Sequence, residues 1–123
     1  MSAIPYSDDV LPASVSLLQL PDVAKQLDLV VTRVHQLLRD RQLIAVRRGG
    51  YVGVPEDFFG DDGDILRMLP GLITVLHDGG YSDAEILEWL YVEDDTLRGG
   101  SAVKALRGDE AREVVRRAQA MAF

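Results

Sequence analysis

The pair Gly49-Gly50 lies between two β-prone runs, Leu43 to Arg47 and Tyr51 to Val54, and two short amphipathic stretches stand directly upstream. No other feature narrows the fold as far. Two glycines accept the positive φ of a two-residue hairpin loop, and the flanking branched and aromatic residues supply the strands. The upstream stretches supply two helices. In "LPDVAKQLDL", Pro21 suits the first helical position, where its missing N–H is no loss. Val23, Ala24 and Leu27 form one apolar stripe, and Asp22 suits the positive end of the helix dipole. Asp28 takes the turn, because aspartate tolerates a left-handed backbone better than most residues. The second helix runs from about Val31 to Arg41, with Val34, Leu37 and Leu38 on one face. Its cap is either Val30, which would make Leu29 and Val34 a hydrophobic staple, or Thr32, one turn later. Valine is the poorer cap. Helix, turn, helix and hairpin together give a winged helix-turn-helix.

The rest of the chain reads as helical. "EDFFGDDGD", residues 56–64, is an acidic connector whose Phe58 and Phe59 dock onto a core. Pro70 begins a helix that Gly79-Gly80 ends. Ser82 and Glu85 have the spacing of a capping box and start a helix that buries Ile86, Leu87, Trp89 and Leu90. Ser101 caps a short helix, "AVKAL". Asp109 opens a last one, with Val114, Val115, Ala118 and Met121 at helical spacing. Residues 1–16 carry two prolines, four serines and two acids with no period, and read as a flexible tail. The expected organisation is a tail over 1–16, the winged helix over 17–60 and a helical bundle over 61–123. The fold class is mainly α with a small β-hairpin wing.

Charge is segregated along this chain. The protein is acidic, with formal net charge −7, yet Pro21 to Val54 holds Lys25, Arg33, Arg39, Arg41, Arg47 and Arg48 against Asp22, Asp28 and Asp40. That window is +3, which leaves −10 for the remainder. A basic helix beside a basic hairpin suits an anionic partner. A recognition helix needs short polar and long cationic side chains on one face, because phosphates and base edges present acceptors. Thr32, Arg33, His35, Gln36 and Arg39 meet that need. Thr32, Arg33 and Gln36, nearest the helix start, are the expected base readers, and Arg39 the expected phosphate contact. Arg47 and Arg48, at the hairpin tip, would follow the backbone or enter the minor groove. The expected partner is double-stranded DNA, bound with marked salt dependence.

Other chemistry finds little support. The chain has no cysteine, which removes disulfides and thiolate catalysis and fits a reducing compartment. No apolar run has the length of a membrane span, and "MSAIPYSDDVLPAS" does not read as a signal peptide, so the expected location is the cytoplasm. His35 and His77 have no partner at metal-ligand spacing. The acids Asp57, Asp61, Asp62 and Asp64 miss the twelve-residue calcium-loop pattern. The Gly-Gly pairs lack the Lys-Ser/Thr ending of a phosphate loop. Ser, His and Asp are present without any spacing that assembles a triad. No catalysis, metal or cofactor is expected, and only Tyr51 among the aromatics lies near the basic face, which disfavours a single-strand stacking platform.

"LPDVAKQLDLVVTRVHQLLRDRQLIAVRR" resembles the helix-turn-helix of small actinobacterial regulators, within the class that includes MerR and excisionase-like winged helices. "LPGLITVLHDGGYSDAEILEWLY" and "AREVVRRAQAMAF" are similar to the C-terminal region of a mycobacterial family of winged-helix DNA-binding proteins under Ser/Thr-kinase control. The resemblance covers about residues 18–123. It implies a DNA-binding transcriptional regulator, with DNA contact through residues 31–41 and the wing around Arg47 and Arg48. The family's turn reads Gly-Val-Ser or similar, where this chain has Asp28-Leu29-Val30. The resemblance also implies a kinase acting on a tail threonine, but this tail has only Ser2, Ser7, Ser14 and Ser16. A weaker echo lies in "GGSAVKALRGDEAREVV", which is similar to the toxin-binding region of some antitoxins. It implies an alternative, a protein-interaction module acting through the C-terminal bundle on a partner or a second copy.

Overall fold

The computed structural model describes residues 4–123. The first helix, α1 (Leu20–Leu27), is followed by α2 (Val31–Arg39), and Asp28 makes the turn in the left-handed region at φ 56°. Its N–H reaches back to the carbonyls of Ala24 and Lys25. Val30 is the cap of α2, with extended backbone and no side-chain bond. The helix stops at Arg39 rather than Arg41, because Asp40 takes the C-cap and Arg41 turns to φ 57°. Val23, Ala24, Val34 and Leu38 are buried between the two helices and the sheet.

The wing is a larger sheet than the hairpin alone. Strands β1 (Ser7–Asp8), β2 (Leu17–Gln19), β3 (Val46–Arg48) and β4 (Tyr51–Pro55) lie in the order β1-β3-β4-β2. The hairpin of β3 and β4 pairs Arg48 with Tyr51 around Gly49-Gly50, and of the two glycines only Gly49 adopts positive φ, 59°. Leu43, Ile44 and Ala45, expected in the first strand, precede it as buried chain. β2 runs antiparallel to β4. A Cβ on Gly53 would lie 2.9 Å from the Leu17 Cβ, so this close approach requires glycine.

The expected flexible tail is corrected for residues 4–16. β1 pairs in parallel with β3, Ser7 opposite Val46 and Asp8 opposite Arg47. The Ser7 N–H donates to the Ala45 carbonyl at 2.8 Å, and Ser7 and Leu11 are buried. The segment is short and polar, but it is held by its pairing with β3 and by local bonds such as that from the Ser7 hydroxyl to the Asp8 carbonyl. Ser2 lies outside the described residues.

After a 3-10 turn at Glu56–Phe58, four helices complete the chain: α3 (Leu69–Asp78), α4 (Asp83–Tyr91), α5 (Ala102–Ala105) and α6 (Ala111–Ala122). The capping box of α4 forms in both directions. The Glu85 N–H donates to Ser82 Oγ at 3.2 Å, and the Ser82 N–H donates to Glu85 Oε1 at 2.9 Å. α3 packs on α6, and Gly79 meets Ala122 so closely that a Cβ would stand 2.8 Å from it. Ser101 is the N-cap of α5, as expected, but makes no side-chain cap bond, and its backbone bridges Glu93. The start of the last helix is corrected. Asp109 lies before Glu110, the cap of α6, and pairs with Arg98 at 3.2 Å. Trp89 is only half-buried and Met121 is exposed, while Val114 and Ala118 are fully covered. Phe58 and Phe59 are buried in a core that joins the sheet, α1 and α2 to the bundle. No helix among the described residues is long and apolar enough to cross a membrane.

Candidate nucleic-acid interface

Successive residues on a helix advance by about 100°. Thr32, Gln36, Arg33 and Arg39 therefore fall within a sector of about 120° on α2, opposite the stripe of Val34 and Leu38. All four are exposed. His35 stands at the boundary of the two faces and is half-buried, so it belongs less to the outward surface than its neighbours. Gln36 is held in place: its Nε2 donates to Asp40 Oδ1 at 2.9 Å, and Arg39 Nη2 donates to Gln36 Oε1 at 3.2 Å. The amide thus points an ordered row of Arg39, Gln36 and Asp40 along the end of the helix. Arg33 and Arg39 have no carboxylate within ion-pairing distance among the described residues.

The two wing arginines diverge. Arg47 is exposed, unpaired among the described residues, and lies 6.0 Å from the centroid of the Tyr6 ring, a cation–π distance. Arg48 is engaged inward. Its Nε donates to Asp9 Oδ2 at 2.7 Å and its Nη2 to Asp9 Oδ1 at 3.3 Å, a fork on one carboxylate. Its Nη1 also donates to the Val15 carbonyl at 2.6 Å. The Arg48 hydrogen bonds hold the Asp9 carboxyl below the usual aspartate range, and the Leu11 N–H adds to the effect. Arg48 therefore fastens residues 9–15 to the wing, and its guanidinium is already satisfied. Adjacent strand residues face opposite ways. That period of two is the signal by which one of the two arginines could have been assigned inward from the sequence.

Arg41, outside the expected contact set, ties α2 to the bundle, where its Nη1 lies 3.1 Å from Asp83 Oδ1 in the first turn of α4. Among the described residues no group of three or more His, Cys, Asp or Glu is placed to hold a metal ion. A cavity of about 720 Å³ lies away from α2, between residues 12–16 and the segments around Asp57, Asp94 and Lys104. There the Tyr91 hydroxyl donates to Asp57 Oδ2 at 3.0 Å, and burial together with that carboxylate pushes the phenol upward.

Comparison with known proteins gives three findings. A family model described as "DNA-binding protein Rv2175c, wHTH domain" matches residues 3–59, and one described as "Rv2175c C-terminal domain of unknown function" matches residues 66–122. DNA-binding protein Rv2175c of Mycobacterium tuberculosis is 47% identical over 134 residues, an alignment spanning 100% of this chain and 92% of the relative. The NMR structure of Rv2175c superposes with a TM-score of 0.87, covering 99% of this chain and 91% of that one.

Proposed function

We propose, for a chain that belongs to the Rv2175c family of winged helix-turn-helix proteins, a role as a transcriptional regulator that binds duplex DNA. One observation carries the reading at the level of chemistry. α2 presents Thr32, Arg33, Gln36 and Arg39 on one exposed face, and neither arginine there has a protein carboxylate to neutralise it among the described residues. Such a face suits the major groove, where arginine forks onto guanine and glutamine onto adenine, with Arg39 and Arg47 following phosphates. Arg48 serves by fixing the wing rather than by touching the nucleic acid, and His35 packs at the side of the helix. Fluorescence-anisotropy titration against random duplex DNA at low and physiological salt tests this. Affinity that falls with salt, and falls again in Arg33→Ala/Arg39→Ala, supports the reading. Absence of binding at low salt would overturn it.

The kinase expected from the family finds Ser14 and Ser16 exposed, whereas Ser7 is buried. We place any phosphorylation on that pair, where added negative charge beside the wing weakens DNA binding. Phosphate incorporation that survives Ser14→Ala/Ser16→Ala would rule the assignment out. A second reading, of a protein partner or a second copy held by the bundle, is favoured by one observation. A pocket of about 210 Å³ between α4 and α6 is lined by Trp89, Val92, Leu97 and Met121, and Val92 and Met121 are exposed. Sedimentation of the full chain over a concentration range tests it. We assign the protein to the cytoplasm on the same reading.

A further inference from the structure

Three consecutive aliphatic side chains stand exposed at the entrance to α2. Leu29 and Val31 are each 37% exposed and Val30 is 66% exposed. Scattered single hydrophobics on a surface need no explanation. A run of three at the turn of a helix-turn-helix does. Val31 opens the stripe that continues through the buried Val34 and Leu38, so part of its exposure follows from its end position. Val30 has no such account. It occupies the N-cap with extended backbone, φ −76° and ψ 152°, and caps nothing. Serine, threonine, asparagine or aspartate at that position would accept a hydrogen bond from the first turn. The chain therefore forgoes local stability there and keeps a branched apolar group in water.

Val30 stands immediately before α2, two and three residues ahead of Thr32 and Arg33, which are themselves exposed on the recognition face. In this architecture the first residues of the second helix come nearest the base edges. Among the unmodified bases, the thymine C5 methyl is the apolar feature of the major-groove edge. We propose that Val30, beside the Thr32 methyl, packs against thymine methyl groups and selects A·T pairs opposite the start of α2. This rests on the DNA-binding reading above and names a specificity determinant within it.

The test compares two alternating A·T duplexes, one with thymine and one with deoxyuridine at every such position, which differ by the methyl alone. Anisotropy titrations use the full chain and Val30→Ser. Serine is a preferred N-cap, so thermal unfolding of Val30→Ser should match or exceed that of the wild type. The expected result is a wild-type preference for thymine of about fourfold per buried methyl, reduced to near unity in Val30→Ser. Equal wild-type affinity for the two duplexes, or the same preference in both proteins, would overturn the inference while leaving DNA binding intact. No wild-type binding to either duplex at low salt would overturn the DNA-binding reading and this inference with it.

Discussion

The bundle pairs four of its six arginines with carboxylates, whereas the outward face of α2 and the wing tip leave theirs unpaired among the described residues. In the bundle, Arg98 pairs with Asp109, Arg107 with Asp61, Arg116 with Glu113, and Arg117 with both Glu113 and Asp94. On α2 and the wing tip, Arg33, Arg39 and Arg47 have no such partner among the described residues. The contrast is partly one of composition, since only three of the 20 acids lie between Pro21 and Val54. It is also one of placement. A cation whose counter-ion lies within the chain serves the fold, and on the function proposed above the cations left open on α2 and the wing tip are available to an external anion. Arg48 shows the rule inside the wing itself, since one residue after Arg47 it already has its carboxylate in Asp9.

The sharpest test asks whether the halves are separate at all. Phe58, fully buried where they meet, should cost about 3–5 kcal/mol when truncated to alanine. Unfolding followed by Trp89 fluorescence in the bundle and by far-UV circular dichroism should then shift together. Two separated transitions would show the halves to be independent. Next in size, Arg33→Ala/Arg39→Ala should lower DNA affinity and flatten the slope of log affinity against log salt by roughly one, the phosphate contact of Arg39. Arg98→Ala/Arg116→Ala in the bundle should leave both unchanged. Equal losses from the two pairs would abolish the contrast drawn above.

Arg48→Ala should behave like a bundle arginine. We expect about 1 kcal/mol lost from stability in urea, given that its side chain remains 24% exposed. Asp9→Ala should lose nearly as much, and the double change little more than either. The smallest effect concerns Glu113. Hydrogen bonds from Arg116 and then Arg117 hold its carboxyl down to about 2. A depressed carboxylate contributes stability above the ordinary glutamate range, and that contribution is lost as pH falls toward 2. An NMR titration should place the Glu113 midpoint near 2 in the wild type and return it toward ordinary values in Arg116→Ala/Arg117→Ala.

What the sequence made legible was local. Asp28 in the turn, Gly49 in the hairpin loop and the Ser82–Glu85 box each act over four residues or fewer, and each stands where its chemistry predicts. The outward face of α2 follows from helical period alone. The two outer strands, Ser7–Asp8 and Leu17–Gln19, did not show, because two or three residues are too few to carry an alternation. Their partners also lie tens of positions away. The Arg48–Asp9 pair is hidden for the same reason, being 39 residues apart. Asp109 was misleading in the other direction, since it suits a helix start by type but is claimed by an ion pair with Arg98 that sequence spacing does not register.

β1 has a consequence beyond the surface it decorates. Without it, β3 would be the margin of the sheet, presenting the unpaired N–H and C=O groups of Val46 to Arg48 to any passing extended chain. Two residues of strand, fastened by one arginine, replace that margin with a shorter, polar edge. A shortened protein beginning at Leu17 would keep both helices and the hairpin, yet it would expose a template for self-association. The polar segment that looked most dispensable thus leaves the wing an edge only two residues long, a poor template for a strand from another molecule.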